Sequence, residues 1–175
     1  MAVTASLPSH SLLNTYRWNS DYLDVFAVSL SGRSDLQTAD IRELATLVLT
    51  ADLPWVRRMM NLRDAIARPF GLKTGIDLAA RSAQTHWSQL GVGDRIGFFR
   101  IYDVDAGEII LGEDDWHQDF RVSILRENAS GEPRVLAATC CRRHNIAGHL
   151  YLALILPFHK RIVSAFLNQA VAETT

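Results

Sequence analysis

A chain of 175 residues has the length of a single domain, and its 48% of hydrophobic and 21% of charged residues are typical of a folded protein with a buried core. Eighteen basic and 19 acidic side chains give a net charge of −1, so we expect no nucleic-acid partner. The chain has no run of roughly 18 uninterrupted apolar residues, and its N-terminus lacks the features of a signal peptide. We therefore expect a cytoplasmic protein without a transmembrane segment.

The first half of the chain predicts a short lead-in, one strand and two helices. Residues 1–20 are rich in Ser, Thr and Asn and predict an irregular N-terminal lead-in, whereas residues 21–175 predict one domain. A strand is predicted over residues 22–30 and is followed by the turn sequence SGRSD. Thr38 is the expected N-cap of the first helix, and Pro54 is expected to open the second.

The second half predicts an antiparallel sheet and a long helix. Aromatic and β-branched residues favour strands at 96–104, 108–112, 120–125 and 134–144, and a further short strand is expected near residues 85–90. Asn145 is the expected N-cap of a C-terminal helix that Pro157 should kink. Helical spacing places seven residues on its buried face: Leu152, Ile155, Leu156, His159, Ile162, Val163 and Phe166.

Four segments carry a resemblance to a known family: RPFGLKTG (68–75), GDRIGFFRIYDV (93–104), GEDDWHQDFRVSIL (112–125) and RHNIAGHLYLALILPFHKRIV (143–163). They resemble a bacterial family known as domain of unknown function 2867, which looks like a branch of the START and birch-pollen-allergen superfamily (SRPBCC). The resemblance implies an α+β helix-grip fold, in which a curved antiparallel sheet wraps around a long C-terminal helix and two helices follow the first strand. Members of that superfamily carry lipids, sterols and polyketides or, in some branches, cyclise and hydrolyse them.

The densest group of polar residues lies between Glu113 and Arg121. Period-two alternation places Phe120 and the apolar residues on one face of the strand, and His117, Asp119 and Arg121 on the other, where they would form an exposed charged ladder. A β-bulge would instead turn His117 and a carboxylate into the cavity, where the pair could act as general acid and base. His159, on the buried stripe of the C-terminal helix, is the third candidate for such a role.

These patterns favour a protein that binds an apolar or amphipathic small molecule between the sheet and the C-terminal helix. One alternative is a cyclase-like or hydrolase-like enzyme that uses a histidine and a carboxylate, and another is a homodimeric interaction module with an exposed apolar patch on the terminal helix. We expect no cofactor and no metal site, because the His and carboxylate spacing matches no metal signature. The predicted binding residues are Trp55, Met59, Phe98, Arg100, Tyr102, Glu113, Phe120, His144, Leu152, Ile155, Leu156, His159 and Val163.

Overall fold

Seven strands and five α-helices make up the part of the chain that the structure describes. The computed structural model describes residues 1–17, 20–51, 53–67, 86–129 and 131–172. The strands are β1 (Val3–Thr4), β2 (Tyr22–Ser29), β3 (Arg95–Ile96), β4 (Phe99–Val104), β5 (Glu108–Asp114), β6 (Gln118–Ala129) and β7 (Glu132–Arg143). The helices are α1 (Asn14–Arg17), α2 (Ser34–Thr38), α3 (Ile41–Leu49), α4 (Pro54–Ala67) and α5 (Ile146–Val171).

The strands form one open, curved sheet in the order β1-β2-β7-β6-β5-β4-β3, and every neighbouring pair is antiparallel. The long hairpin of β6 and β7 occupies its centre. Helix α5 packs against β2, β7 and α3. The architecture confirms the α+β prediction and is consistent with a helix-grip-like fold.

Both faces of the sheet are covered by other parts of the chain. Side chains alternate between faces along each strand, so each strand contributes to two cores. The inner face, toward α3 and the end of α5, is lined by Val28, Ile101, Ile109, Leu111, Val122, Ile124, Val135 and Ala137. The outer face, toward the N-terminal segment, is lined by Val25, Ala27, Ile110, Leu125, Leu136, Ala138 and Cys140.

The helix boundaries follow local capping. The N-cap of α3 is Asp40, whose side chain accepts from the Arg42 N–H at 2.8 Å. The prediction of Thr38 as that cap was wrong, because a short additional helix, α2, ends at Thr38. The start of α4 at Pro54 and the Asn145 cap of α5, which accepts from the Gly148 N–H at 3.1 Å, confirm the predictions.

The strand expected near residues 85–90 was also wrong in its described part. Residues Trp87–Gln89 form a 3₁₀ turn, and Thr85 lies outside the described residues. His86 caps the turn: its Nδ1 lies 2.8 Å from the Ser88 hydroxyl and accepts from the Ser88 N–H. A side chain that binds the backbone locally in this way competes with strand pairing.

The N-terminal segment, predicted as an irregular lead-in, packs on the outer face of the sheet. Val3 and Thr4 pair with β2, and Leu13 is fully buried in the outer core. The carboxylate of Glu108, which is 2% exposed, accepts from the Ser11 hydroxyl at 2.6 Å and from the Leu12 N–H at 2.7 Å. It also accepts from the Ser123 hydroxyl. Glu108 therefore ties this segment to β5 and β6.

Replacing Glu108 with Gln should lower the free energy of unfolding by about 1–3 kcal/mol, because an amide N–H₂ group would face donors that now meet a carboxylate. Urea denaturation monitored by circular dichroism measures the loss. The exposed Glu132 provides the matched control, Glu132→Gln, which should change stability by less than about 0.5 kcal/mol. Equal effects of the two substitutions would show that the buried carboxylate does not hold the segment.

Candidate functional site

Helix α5 is fixed to the sheet at its first turn. A Cβ atom on Gly148 would lie 2.1 Å from the carbonyl oxygen of His117, in the turn between β5 and β6, so only glycine permits this approach. The same carbonyl accepts from the His144 N–H at 3.0 Å, and the Asn145 side chain donates to the Trp116 carbonyl at 3.1 Å. These contacts set the start of the helix above one end of the inner face.

Polar residues occupy the inner face beneath the middle of α5. Asp24 on β2 lies opposite Thr139 on β7, and Thr139 lies opposite Val122 on β6. His159 of α5 reaches this row, where its Nε2 atom is 3.4 Å from Asp24 Oδ2. Tyr22 donates from its hydroxyl to the same oxygen at 2.6 Å. Burial and this hydrogen bond to Asp24 raise the pKa of the Tyr22 phenol well above its usual value.

Several polar atoms in this part of the inner face are buried without a hydrogen-bond partner. Within the described ranges they are Asp24 Oδ1, Thr139 Oγ1 and His159 Nε2, together with Gln118 Oε1 at the start of β6. The 3.4 Å approach of His159 Nε2 to Asp24 Oδ2 is thus a charge contact without hydrogen-bond geometry. The side chain of Asp24 is 9% exposed and Thr139 is 3% exposed. Each such group carries a desolvation cost of about 1–3 kcal/mol, so a cluster of them is typical of a place where a further polar group binds.

The face of α5 that points toward the sheet is only half-buried along its middle. Leu152 and Leu167, which are 5% and 0% exposed, bracket this stretch. The inward positions between them are of intermediate exposure: Ile155, Leu156, His159, Ile162, Val163 and Phe166. We refer to these positions together with the facing Asp24–Thr139 row as the inner cleft.

A concave feature lies on the outer face of the sheet. A pocket of about 190 Å³ opens between α1 and the strands β6 and β7. It is polar in character, and its lining consists of Thr15, Tyr16, Ser20, Asp119, Arg121, Cys140, Cys141 and Arg142. Asp119 Oδ2 lies 3.0 Å from His144 Nε2 at the same end of the sheet.

Arg121 is the central cation of this outer pocket. Its guanidinium carbon lies 3.6 Å from the centroid of the Tyr102 ring, and its Nη1 is 2.7 Å from Asp114 Oδ1. Tyr102 donates to the other oxygen of Asp114 at 3.0 Å. Burial raises the pKa of Tyr102 to about 12 even though the nearby Arg121 charge opposes the shift. Arg121 is therefore committed to Asp114 and Tyr102, and it organises the β4–β6 side of the pocket.

The structure places the predicted cavity residues on both faces of the sheet. Those that lie on the inner layer or on the inward face of α5 are Glu113, Phe120, Leu152, Ile155, Leu156, His159 and Val163. Arg100, Tyr102 and His144 lie on the outer face and do not share a cavity with α5. Phe98 stacks beside Phe99 with ring centroids 3.8 Å apart, Trp55 on α4 is 39% exposed, and Met59 is half-buried.

The two candidate acid–base residues His117 and Asp119 contact different residues and not each other. His117, which is 3% exposed, has its Nδ1 3.7 Å from Asp115 Oδ2 and its ring against Tyr151. Asp119 pairs with His144 instead. Of the predicted histidines, His159 is the one that meets a buried carboxylate on the inner face, at Asp24.

Sequence reasoning missed Asp24, Tyr22 and Thr139. A signal was present, because YLDVFAVS alternates and places Tyr22, Asp24 and Phe26 on the same face as the buried Val28. A carboxylate in phase with core residues indicates a partner on the facing layer. The sequence does not show that this partner is His159, 135 positions away.

Within the described residues, no group of three His, Cys, Asp or Glu side chains is arranged to hold a metal ion. The two cysteines are free and buried. Cys140 points to the outer face and Cys141 to the inner face, since neighbouring residues of a strand alternate. Burial raises the pKa of Cys140 to about 11 and that of Cys141 to about 12.

The fold and the inner cleft define an α+β domain of helix-grip-like architecture. The family whose sequence pattern matches this chain is described as a protein of unknown function (DUF2867), and the match covers residues 18–166. The chain belongs to this family. No curated protein and no solved structure matches it.

Replacing Gly148 with Ala should destabilise the fold by about 1–3 kcal/mol, although Ala is intrinsically the better helix former, because its Cβ would meet the His117 carbonyl at 2.1 Å. Thermal unfolding followed by circular dichroism measures the change. A Cβ atom on Gly107 would have no neighbour closer than 3.8 Å, so Gly107→Ala is the control. A stabilised Gly148→Ala variant would contradict the close approach.

Both thiols should resist a disulfide reagent such as dithiodipyridine at about pH 8 in the folded protein and react fully in guanidinium. Their pKa values are raised in the folded state, so the stabilisation that depends on the protonated thiols is present below the ordinary pKa of 9.0 and is lost as the pH rises toward 11 and 12. Chemical denaturation across this interval should show the decline. Rapid labelling of either thiol in the native state would contradict the assigned burial.

Proposed function

We propose that the protein binds a small apolar or amphipathic molecule in the inner cleft, between the sheet and α5. The observation that supports this most directly is the coincidence of half-exposed apolar side chains on α5 with unpartnered buried polar atoms on the facing strands. The apolar positions would contact the body of the ligand, and Asp24 and Thr139 would bind its polar end. Of the predicted binding residues, this proposal keeps those on the inner face of the sheet and on the inward face of α5.

The charge and the hydrogen-bonding groups of Asp24, Thr139 and His159 determine which polar group of a ligand could bind beside them. Asp24 Oδ1 is an acceptor, Thr139 Oγ1 both donates and accepts, and His159 can do either. A ligand hydroxyl or amine would satisfy these atoms, whereas a ligand carboxylate would be placed against the carboxylate of Asp24. The proposed class is therefore an apolar molecule with a hydroxyl or amine end, such as a sterol-like, polyketide-like or long-chain alcohol.

A second function, acid–base catalysis of the cyclase or hydrolase type, is favoured by one contact. His159 Nε2 lies 3.4 Å from Asp24 Oδ2, and a carboxylate beside a histidine can hold the ring in the orientation that proton transfer needs. Tyr22 holds that carboxylate from the other side at 2.6 Å. In this reading the proton-transfer pair is His159 with Asp24, in place of His117 with Asp119.

The binding proposal is tested with Nile red, a neutral apolar dye, whose fluorescence rises on entering a nonpolar site. Val163→Trp would fill the cleft and should weaken dye binding by about tenfold or more. Val92, which is 66% exposed, provides the control, and Val92→Trp should bind the dye like the parent protein. Equal dye binding by both variants would refute the cleft as the site.

The polar end is tested by displacing the dye with dodecanol and with dodecanoate, which share a chain length. Dodecanol should compete better, by roughly tenfold, and Asp24→Asn should narrow that preference because it removes the repelling charge. Thr139→Val keeps the side-chain shape and should weaken dodecanol without affecting dodecanoate. A preference for dodecanoate in the parent protein would overturn the assignment of the polar end.

Native mass spectrometry followed by organic extraction then identifies any molecule that co-purifies. Incubating that molecule with the parent protein and with His159→Gln separates the two functions. Conversion by the parent that His159→Gln abolishes supports catalysis, whereas retention of the unchanged molecule by both supports a carrier.

A further inference from the structure

The outward face of α5 is apolar along its first half. Ile146, Leu150, Leu154 and Phe158 recur every four residues and are 79%, 68%, 50% and 39% exposed. Ala147, Ala153 and Pro157 are exposed between them, and His149 stands at the edge of the strip. Elsewhere in the described chain the exposed large hydrophobic residues are separated from one another in sequence, so this face is the longest such strip in an element. We call it the α5 strip.

Positive charge lies at both ends of the α5 strip. Lys160 and Arg161 are exposed immediately after Phe158. The positive end of the helix dipole lies at the other end, before Ile146. Between Ile146 and Val171 the sequence has no Asp or Glu. An exposed aromatic residue, Trp116, which is 53% exposed, lies beside the helix N-cap, since its carbonyl accepts from Asn145.

We propose that the α5 strip docks on an anionic membrane surface, with its apolar residues entering the headgroup boundary and its flanking cations contacting lipid phosphates. Apolar side chains next to Lys and Arg, with Trp at the margin, are the composition that lies in a membrane interface. The proposal is independent of the ligand in the inner cleft, which lies on the opposite face of the same helix.

The same charges disfavour a second copy of this chain as the occupant. In an antiparallel pairing of two α5 strips, Lys160 and Arg161 of one copy would approach the positive end of the helix dipole of the other. In a parallel pairing, each cation would approach its own counterpart. Both arrangements place like charges together, whereas an anionic surface neutralises all of them.

Helix α5 also has the length and composition of a membrane span. Two features favour docking over crossing. Lys160 and Arg161 stand near its middle, and its last turns are part of the inner core, where Leu167 is fully buried and Ala170 is 1% exposed. Crossing would extract these core residues from the domain, whereas docking leaves the fold intact.

Flotation of the full chain with lipid vesicles tests the proposal. The protein should float with vesicles of phosphatidylcholine mixed with phosphatidylglycerol, and high salt or vesicles of phosphatidylcholine alone should reduce the floating fraction. Leu150→Glu and Leu154→Glu should each reduce partitioning by about tenfold or more. Leu47 on α3 is 40% exposed, and Leu47→Glu is the control with an unchanged result.

The cations are tested separately. Lys160→Glu and Arg161→Glu should each weaken binding to anionic vesicles by about fivefold or more. The exposed Arg58 on α4 serves as the matched control, since Arg58→Glu makes the same charge change away from the strip. Loss of binding in Arg58→Glu to the same extent would overturn a localised docking face.

Light scattering after size-exclusion chromatography tests whether a second copy of this chain, and not a membrane, covers the α5 strip. A dimer that Leu150→Glu and Leu154→Glu convert to a monomer, with no flotation of the parent protein, would overturn the proposal in favour of a second copy. Absence of both flotation and dimerisation would overturn it as well. A blue shift in tryptophan emission on adding anionic vesicles, reduced in Trp116→Phe, would support insertion at the helix N-terminus.

Discussion

The contact between the first turn of α5 and the turn after β5 positions the whole C-terminal helix. Gly148 lets the backbone of the helix meet the His117 carbonyl directly, and Asn145 and His144 add hydrogen bonds on either side. The helix is held at its first turn and is buried again at Leu167, whereas the inward positions between these two points are only half-buried. The middle of the helix is therefore less closely packed, with half-buried apolar side chains toward the sheet and exposed ones away from it.

The sheet beneath this stretch is divided into a polar end and an apolar end. Across the inner face, the row of Asp24 and Thr139 gives way one step further along to the row of Phe26 and Ala137, which belongs to the core. Burying a carboxylate, a hydroxyl and an imidazole together costs stability unless they bind each other or a further group. The protein tolerates this cost beneath the middle of α5, and such local conflicts between folding and composition are typical of functional positions.

The sequence predicted the fold well wherever a pattern repeated. Alternation in β6 and helical spacing in α5 specify which face is buried, because a one-residue shift would expose an entire apolar set. Asn145 and Pro54 act through local backbone chemistry and were predicted for the same reason. The site was less predictable. Its central pair, Asp24 and His159, depends on where α5 crosses β2, and that crossing is decided by contacts distant in sequence from both residues.

The two-residue edge strands have a consequence for assembly. β1 and β3 close the two sides of a sheet whose inner strands, β6 and β7, are 12 residues long. A sheet edge is a template for adding another strand, and its strength as a template grows with the number of consecutive unpaired backbone groups it presents. A strand of two residues presents very few unpaired backbone N–H and C=O groups. The paired segments thus shorten from 12 residues in the middle of the sheet to two at each terminal strand, so each terminal strand presents few backbone groups to which another chain could pair.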